Sequence, residues 1–293
     1  MHWEKISLIG LGLLGGSLGL AIKKRKIATT VHAYVRREAS ICECLKAGAA
    51  DLASQDLRSV VEDADLVILC TPLAQMRALT EQFAPYLKPG AIVTDVGSVK
   101  GSVARDLAPL LAKTQAEFIG SHPMAGSEQS GLAAANADLF QNAVCLVTPT
   151  PTNSLNAIRT MQYFWKALGG NPMRMRPESH DDLVSRSSHL PHVVAAELAN
   201  YVLSPVHPKE QAALCANGFR DTTRIASGSP EMWRDIALAN RQHLRRVLGV
   251  FIEDLEEFQL ALERQDVQAI EEFFSKAKQR RDDWRAQAGT TPE

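Results

Sequence analysis

The sequence predicts an α/β fold: a doubly wound, mostly parallel sheet over residues 1–176, followed by an all-helical domain over 177–293. Three observations predict it. Short apolar runs alternate with helix-length segments through the first half, a glycine-rich turn follows the first run, and strand-like texture stops after Pro177. Strands that alternate with helices of this length form right-handed βαβ units around a parallel sheet.

The strand candidates, in order, are "KISLIG", "TVHAYV", "DLVILC", "AIVTDV", "EFIG" and "AVCLVT". Their near-continuous apolar character, as in Leu66-Val67-Ile68-Leu69-Cys70, fits a sheet covered on both faces. A helix is expected near 153–168, stopped by Gly169-Gly170, with one more strand at Met173–Met175. From 179 to 285, apolar residues recur at three- and four-residue spacing, as in "HVVAAELANYVL" and "DVQAIEEFFSKAKQRRDDW", which predicts helices throughout. The tail "AQAGTTPE" reads as frayed.

Composition narrows the class. The 293 residues are 45% hydrophobic and 22% charged, with a formal net charge of −1. That balance is globular and gives no basic field for nucleic acid or an acidic membrane. No apolar run reaches membrane-spanning length, and no secretory leader is evident. Five cysteines, an odd number without a CxxC pair, read as free thiols in a reducing cytoplasm.

The turn is "GLGLLG", residues 10–15, between the first strand and a helix. As a bare pattern it could be a plain strand-to-helix turn. In this context it predicts a dinucleotide site of Rossmann type. Gly10 makes the tight turn, Gly12 admits a pyrophosphate, and Gly15 lets helix and strand approach, while Leu13 and Leu14 open the helix whose N-terminus faces the phosphates. At the end of the second strand an NAD-selective site carries an acidic residue for the ribose hydroxyls. Here Val35 stands there, followed by Arg36 and Arg37. They read either as solvated arginines or as ligands of a 2′-phosphate, and NADP is expected over NAD, with NAD as the alternative.

Other polar groups fall at the ends of predicted strands, where open α/β sheets hold their ligands. "CTP" supplies Cys70, Thr71 and Pro72. "TDVGSVK" supplies Ser98, and "GSHPMAGSEQSG" supplies His122 and Glu128. His122, beside Pro123 on the rim expected to hold a nicotinamide, is the acid–base candidate. In the helical half, "SSHLPH" puts His189 and His192 on one helical face, with Pro191 expected to end or kink the helix. No third ligand stands at a persuasive spacing, so no metal is expected. "GFRDTTRIASGSPEMW" gathers Arg220, Asp221, Arg224 and Trp233, a set suited to binding a carboxylate with a salt-bridged brace or to an ordinary surface ion pair.

Together "GLGLLGGS", "CTP", "DVGSVK", "GSHPMAGSEQSG", "SHLPH" and "GFRDTTRIA…SPEMW", in this order along nearly the whole chain, resemble the prephenate/arogenate (cyclohexadienyl) dehydrogenases of tyrosine biosynthesis. The resemblance implies roles. His122 takes the proton of the ring 4-hydroxyl as hydride leaves C4, and Ser98 bonds the same hydroxyl or the imidazole. Arg224 anchors a substrate carboxylate. His192 donates a hydrogen bond toward the substrate side chain, supported by His189, and Glu128, Asp221 and Trp233 shape or gate the pocket. It also implies a homodimer through the helical domain. No appended regulatory module is expected, so tyrosine, if it inhibits, acts at the active site.

The chemistry suits these residue types. Removing hydride from a carbinol carbon requires a base for the hydroxyl proton, and loss of carbon dioxide from the resulting dienone creates an aromatic ring. Positioning and a nicotinamide suffice. His192 and Glu128 point to prephenate, with arogenate as the alternative, and the rate is expected to rise as an ordinary imidazole loses its proton. A β-hydroxyacid or imine dehydrogenase shares the two-domain plan but resembles a different pattern, with a helical-domain lysine. A non-catalytic NADP sensor would not need His122, Ser98 and Arg224 together.

Overall fold

The computed structural model of the chain describes residues 2–126 and 129–288. The described residues form two compact units, divided between Arg241 and Gln242.

The first unit begins with β1 (Trp3–Ile9), α1 (Leu13–Lys24), β2 (Ala28–Tyr34), α2 (Glu38–Lys46), β3 (Leu52–Ser54), α3 (Leu57–Val61), β4 (Leu66–Leu69), α4 (Leu73–Phe83), β5 (Ile92–Asp95), α5 (Gly101–Leu111) and β6 (Glu117–Phe118). These six strands make one parallel sheet in the order β3-β2-β1-β4-β5-β6. The order reverses between β1 and β4, and ligands of such sheets bind in the crevice there. β4 shows why its run is apolar without interruption. Leu66 and Ile68 join one core, with Leu8, Val31 and Trp165, while Val67 and Leu69 join the other, with Val60, Phe83 and Leu107. Both faces are covered by helices, so each residue of the strand is buried.

The chain then leaves this sheet. β7 (Gly120–Pro123), β8 (Val144–Thr148) and β9 (Asn171–Arg174), with α6 (Leu155–Ala167) between the last two, form a separate three-stranded sheet. β7 runs antiparallel to β8, with His122 opposite Leu146. The expected single sheet is therefore two, with the change at Ile119, whose N–H still bonds to Val93 O at 3.0 Å. Ser154 caps α6 by accepting from Ala157 N.

After β9 the chain is helical: α7 (Pro177–Val184), a π-helical turn (Ser185–His189), α8 (Leu190–Val202), α9 (Glu210–Ala213), α10 (Asn217–Thr223), a 3₁₀ turn (Arg224–Ser227) and α11 (Pro230–Ala239). Pro191 does not stop the helix. It lies in the first turn of α8, directly after the π turn, where its missing N–H disturbs no regular bond. α7 packs on α5 and α11 on α4, so residues 177–241 form one unit with the sheets.

The second unit holds most of α12 (Arg241–Glu263) and all of α13 (Val267–Ala288). The two helices meet through Phe258, whose ring lies 4.5 Å from Phe273 and 5.8 Å from Phe274. Val250, Leu255, Leu262, Val267 and Trp284 are exposed along them. No described helix is long and apolar enough to cross a membrane.

Candidate active site

The crevice at the sheet's reversal point has a volume of ≈ 310 Å³ and is lined by Gly10, Gly12, Arg36, Thr71 and Pro72, among others. Gly10 has φ +100°, a conformation that side chains rarely adopt. A Cβ on Gly15 would lie 2.1 Å from Gly10 O, so only glycine lets α1 come this close to β1. Gly12 is the opposite case, with no heavy atom within 4 Å of where its Cβ would be. It begins α1, whose first turn, Leu13 and Leu14 included, carries no acidic residue and no side-chain cap. Thr71 Oγ1, at the facing strand end, is buried without a hydrogen-bond partner among the described residues. An open backbone cradle, an uncapped helix N-terminus and an orphaned hydroxyl fit a dinucleotide pyrophosphate. Cys70 is half-buried, and desolvation pushes its thiol far up, toward the protonated form.

At the other end of the crevice, Val35 is buried and donates its N–H to Ser54 O at 3.1 Å, while Arg36 and Arg37 are exposed. Arg37 approaches Glu43 at 3.7 Å. Ser40 and Glu43 also line this end, and nothing in the sequence pattern points to either.

His122 is buried on β7, and its Nδ1 lies 2.8 Å from His180 Nε2. His180 is fully buried on α7, with its Nδ1 2.8 Å from Asp181 Oδ1. The Asp181 carboxylate also accepts from the backbone N–H groups of Lys100, at 2.7 Å, and Gly101, at 2.8 Å. Burial pushes the Asp181 carboxyl upward, but the bonds from His180, Lys100 and Gly101 outweigh it and hold the group below the usual carboxylate range. Burial lowers the pKa of His180, and Asp181 only partly opposes that. For His122, burial and then the neighbouring His180, Lys100 and His189 push it well below the ordinary imidazole value, leaving a neutral ring.

A buried ion pair braces this centre. Lys100 Nζ pairs with Asp95 Oδ2 and donates to Ser121 O at 2.7 Å, one residue before His122. Asp95 accepts from Gly97 N at 2.9 Å. Ser98 lies half-buried in the same loop. The Nδ1 partner of His122 is His180 and not Ser98, so of the contacts expected for Ser98 only the other ring nitrogen or the substrate hydroxyl remains.

A second cluster forms on the helices. His189 is buried, and its Nδ1 accepts from Asn240 Nδ2 at 3.1 Å. The same amide donates to Asp181 O at 2.9 Å. Burial, above all, lowers the His189 pKa to about 4. His192 stacks on Trp233, with ring centroids 3.7 Å apart, and His189 meets the same indole edge-on at 6.1 Å. His192 Nδ1 donates to Ser188 O at 2.9 Å. Its pKa is lowered by burial and by the charge of Arg224 nearby, so the ring is neutral and its Nε2 is an acceptor. The resemblance implied a donor at His192, whereas a neutral ring bonded in this way offers an acceptor at Nε2. Asp221 is exposed and lies 3.7 Å from Arg220. Glu128 lies outside the described residues. No group of three or more metal-ligating side chains occurs among the described residues.

The sequence pattern does not single out His180, Asp181, Asp95, Lys100 or Asn240. Asp95 and Lys100 stand inside "TDVGSVK", where a lysine five residues after an acid at a buried strand end is a signal that could have found them. His180-Asp181 carries no spacing cue, because its partners come from β7 and α5.

Fold and site define a dinucleotide-binding protein with a buried, neutral imidazole beside its sheet. Family models for the prephenate dehydrogenase nucleotide-binding domain and the prephenate dehydrogenase dimerization domain match residues 18–173 and 176–276. The chain is 35% identical to the prephenate dehydrogenase of Bacillus subtilis over 285 residues, covering 95% of this chain and 76% of that one. Among solved structures it is similar to prephenate dehydrogenase from A. aeolicus in complex with hydroxyphenyl propionate and NAD+ (TM-score 0.90, 28% identity, 97% of this chain and 99% of that one). It is also similar to Synechocystis arogenate dehydrogenase (TM-score 0.82, 30% identity, 96% and 99%). The chain belongs to the prephenate dehydrogenase family.

Proposed function

We propose that the chain catalyses the oxidative decarboxylation of prephenate to 4-hydroxyphenylpyruvate, a step toward tyrosine, with NADP as the preferred hydride acceptor. The observation that carries this reading is His122, a buried neutral imidazole whose Nδ1 is already engaged. Its Nε2 takes the proton of the ring hydroxyl as the carbinol carbon is oxidised. The bound nicotinamide supplies the hydride acceptor. Gly10, Gly12, Gly15 and the first turn of α1 hold the pyrophosphate, and Thr71 stands ready to bond at the facing strand end. Arg36, with Arg37, binds the 2′-phosphate, since neither faces an acidic residue at position 35. Arg224 anchors a substrate carboxylate, Ser98 bonds the substrate hydroxyl, and Trp233 with His192 and His189 walls the side-chain end. Residues 1–176 serve as the cofactor domain. Residues 177–293 serve as the substrate and dimerisation domain, assembling a homodimer through the exposed apolar residues of α12 and α13. The five free cysteines suit a cytoplasmic enzyme.

One observation favours arogenate as a second substrate. His192 offers an acceptor, which suits the ammonium of arogenate better than the keto oxygen of prephenate. The test is to supply prephenate or arogenate, each with NADP or NAD, and follow formation of reduced nicotinamide. Turnover with prephenate and NADP is expected. Absence of turnover with all four pairs overturns the reading, and higher efficiency with arogenate or with NAD overturns that part of it.

A further inference from the structure

We infer that His180 is a positioning residue that, held by Asp181, decides which nitrogen of His122 is free to accept a proton. The inference rests on the reading of His122 as the base and goes beyond it, because that reading leaves open which tautomer the ring adopts.

The hydrogens are fixed from one end of a hydrogen-bonded chain. Asp181 is ionised and can only accept. Its Oδ1 lies 2.8 Å from His180 Nδ1, so that nitrogen carries the hydrogen. A neutral imidazole has one N–H, so His180 Nε2 is a bare acceptor. It lies 2.8 Å from His122 Nδ1, which must therefore donate. His122 Nε2 is then left with its lone pair, the state a base requires. Each link is buried, so water does not compete to reset it.

The start of the chain is fixed by backbone. Lys100 N–H and Gly101 N–H, at the beginning of α5, hold the Asp181 carboxylate, and Asn240 Nδ2 holds its carbonyl. The carboxylate cannot turn away from His180 without leaving the buried Lys100 N–H unpaired, a cost of about 1–3 kcal/mol, and releasing the half-buried Gly101 N–H as well. When His122 gains a proton at Nε2, both its nitrogens carry hydrogen. The Nδ1–H then faces the lone pair of His180, whose own N–H faces the carboxylate. The new positive charge thus meets an acceptor chain ending in a fixed negative charge. A ring without this neighbour would divide itself between two tautomers, one of which presents N–H to the substrate and cannot act as the base.

The test has one arm on the unaltered protein. Long-range ¹H–¹⁵N correlation on histidine-labelled chain, with His122 assigned by its loss in His122→Asn, reads the tautomer directly. Hydrogen on Nδ1 with a bare Nε2 is expected, and hydrogen on Nε2 overturns the inference. The second arm compares His180→Leu, which removes the acceptor, with His180→Gln, which keeps one. His180→Leu is expected to lower kcat about 10- to 100-fold, short of the roughly 10²–10⁴-fold cost of losing a base, with KM for substrate and cofactor unchanged. His180→Gln is expected to recover part of kcat and the Nδ1–H signal. Full kcat in a folded His180→Leu, or equal losses in both variants with the His122 tautomer unmoved, overturns the positioning role while leaving the base intact. Full activity of His122→Asn would instead overturn the reading of His122 as the base.

Discussion

The imidazole of His192 lies on the indole of Trp233, with ring centroids 3.7 Å apart and planes at 29°. Trp233 comes from α11 and His192 from α8, so this one contact joins two helices at the substrate side of the proposed site. An aromatic pair of this kind contributes about 0.5–1.5 kcal/mol beyond the area it buries. Trp233→Leu should therefore raise KM for the substrate by about 2- to 12-fold at 1.4 kcal/mol per decade, while KM for the cofactor stays within error. Steady-state kinetics with each ligand varied in turn checks this, and an equal rise in both constants would place Trp233 in general folding.

His122→Asn should lower kcat by about 10²–10⁴-fold with cofactor affinity nearly unchanged, measured by fluorescence titration. The pH profile carries the sharper test. His122 is held well below the ordinary imidazole value, first by burial and then by His180, Lys100 and His189. Its base form is already complete at neutral pH. The acid limb of kcat/KM should then fall below pH 6.5, roughly the free imidazole value, and the profile should be flat from there upward through neutrality. This moves the rise expected from the sequence to lower pH. A limb centred at or above the free value would contradict the assignment.

The same shifts have a consequence for stability. His122, His180, His189 and His192 all have folded pKa values below the unfolded one, His189 at about 4. Above about pH 6.5 neither state is protonated at these rings, and they add no slope. Below it the unfolded chain binds protons that the folded chain refuses, so stability falls as pH falls, continuing down to about 4 for His189. Thermal unfolding at a series of pH values should show Tm dropping from about pH 6.5 downward, more steeply than in a His189→Asn, His192→Asn double variant. An unchanged slope in the double variant would count against it.

Gly12 and Gly15 should separate folding from cofactor binding. Gly12→Ala meets no heavy atom within 4 Å, so Tm should hardly move, while the added methyl intrudes on the pyrophosphate cradle and cofactor affinity should drop at least tenfold, about 1.4 kcal/mol. Gly15→Ala places its Cβ 2.1 Å from Gly10 O and should lower Tm even without cofactor. Calorimetry and cofactor titration on both variants check the pair. Equal effects of the two changes on Tm would remove the distinction.

Arg36→Ala should raise KM for NADP about ten- to a hundredfold and leave KM for NAD nearly unchanged, as expected when a charge-assisted bond of about 1.5–3 kcal/mol is lost. Arg37→Ala should act more weakly, because Glu43 lies 3.7 Å from its guanidinium and holds part of its charge. The NADP preference should shrink with added salt, since this end of the crevice is exposed. Equal damage to both cofactors would make Arg36 a packing residue.

Features that depend on neighbours along the chain are legible in the amino-acid sequence. The glycine turn, the unbroken apolar run of β4 and the helical period after 177 each follow from local chemistry. β3 leaves no such trace, because three residues, Leu52–Ser54, show no period. The departure of β7 into a second sheet is equally hidden, since strand partners are not written in a strand's own composition. The surroundings of the candidate base are half legible. His122 stands out beside Pro123, but its partner His180 is 58 positions away, and the brace between Asp95 and Lys100 is a pairing that only burial makes obligatory. The direction of the His192 hydrogen bond is not legible either, because it is set by the Ser188 carbonyl.

The π turn at Ser185–His189 amounts to a phase shift in a screw. One extra residue in an α-helix advances everything after it by about 100° around the axis. Up to Val184 the helix turns His180 toward β7, and beyond the turn α8 shows His192 to Trp233. Without that added residue, a continuous helix would offer one of these histidines and rotate the other away. Deleting a single residue from 185–188 would leave composition and helix content almost untouched while pointing a different set of side chains at Trp233. The two halves of the proposed site are thus kept in register by angular bookkeeping in the backbone, which a comparison of side chains alone would overlook.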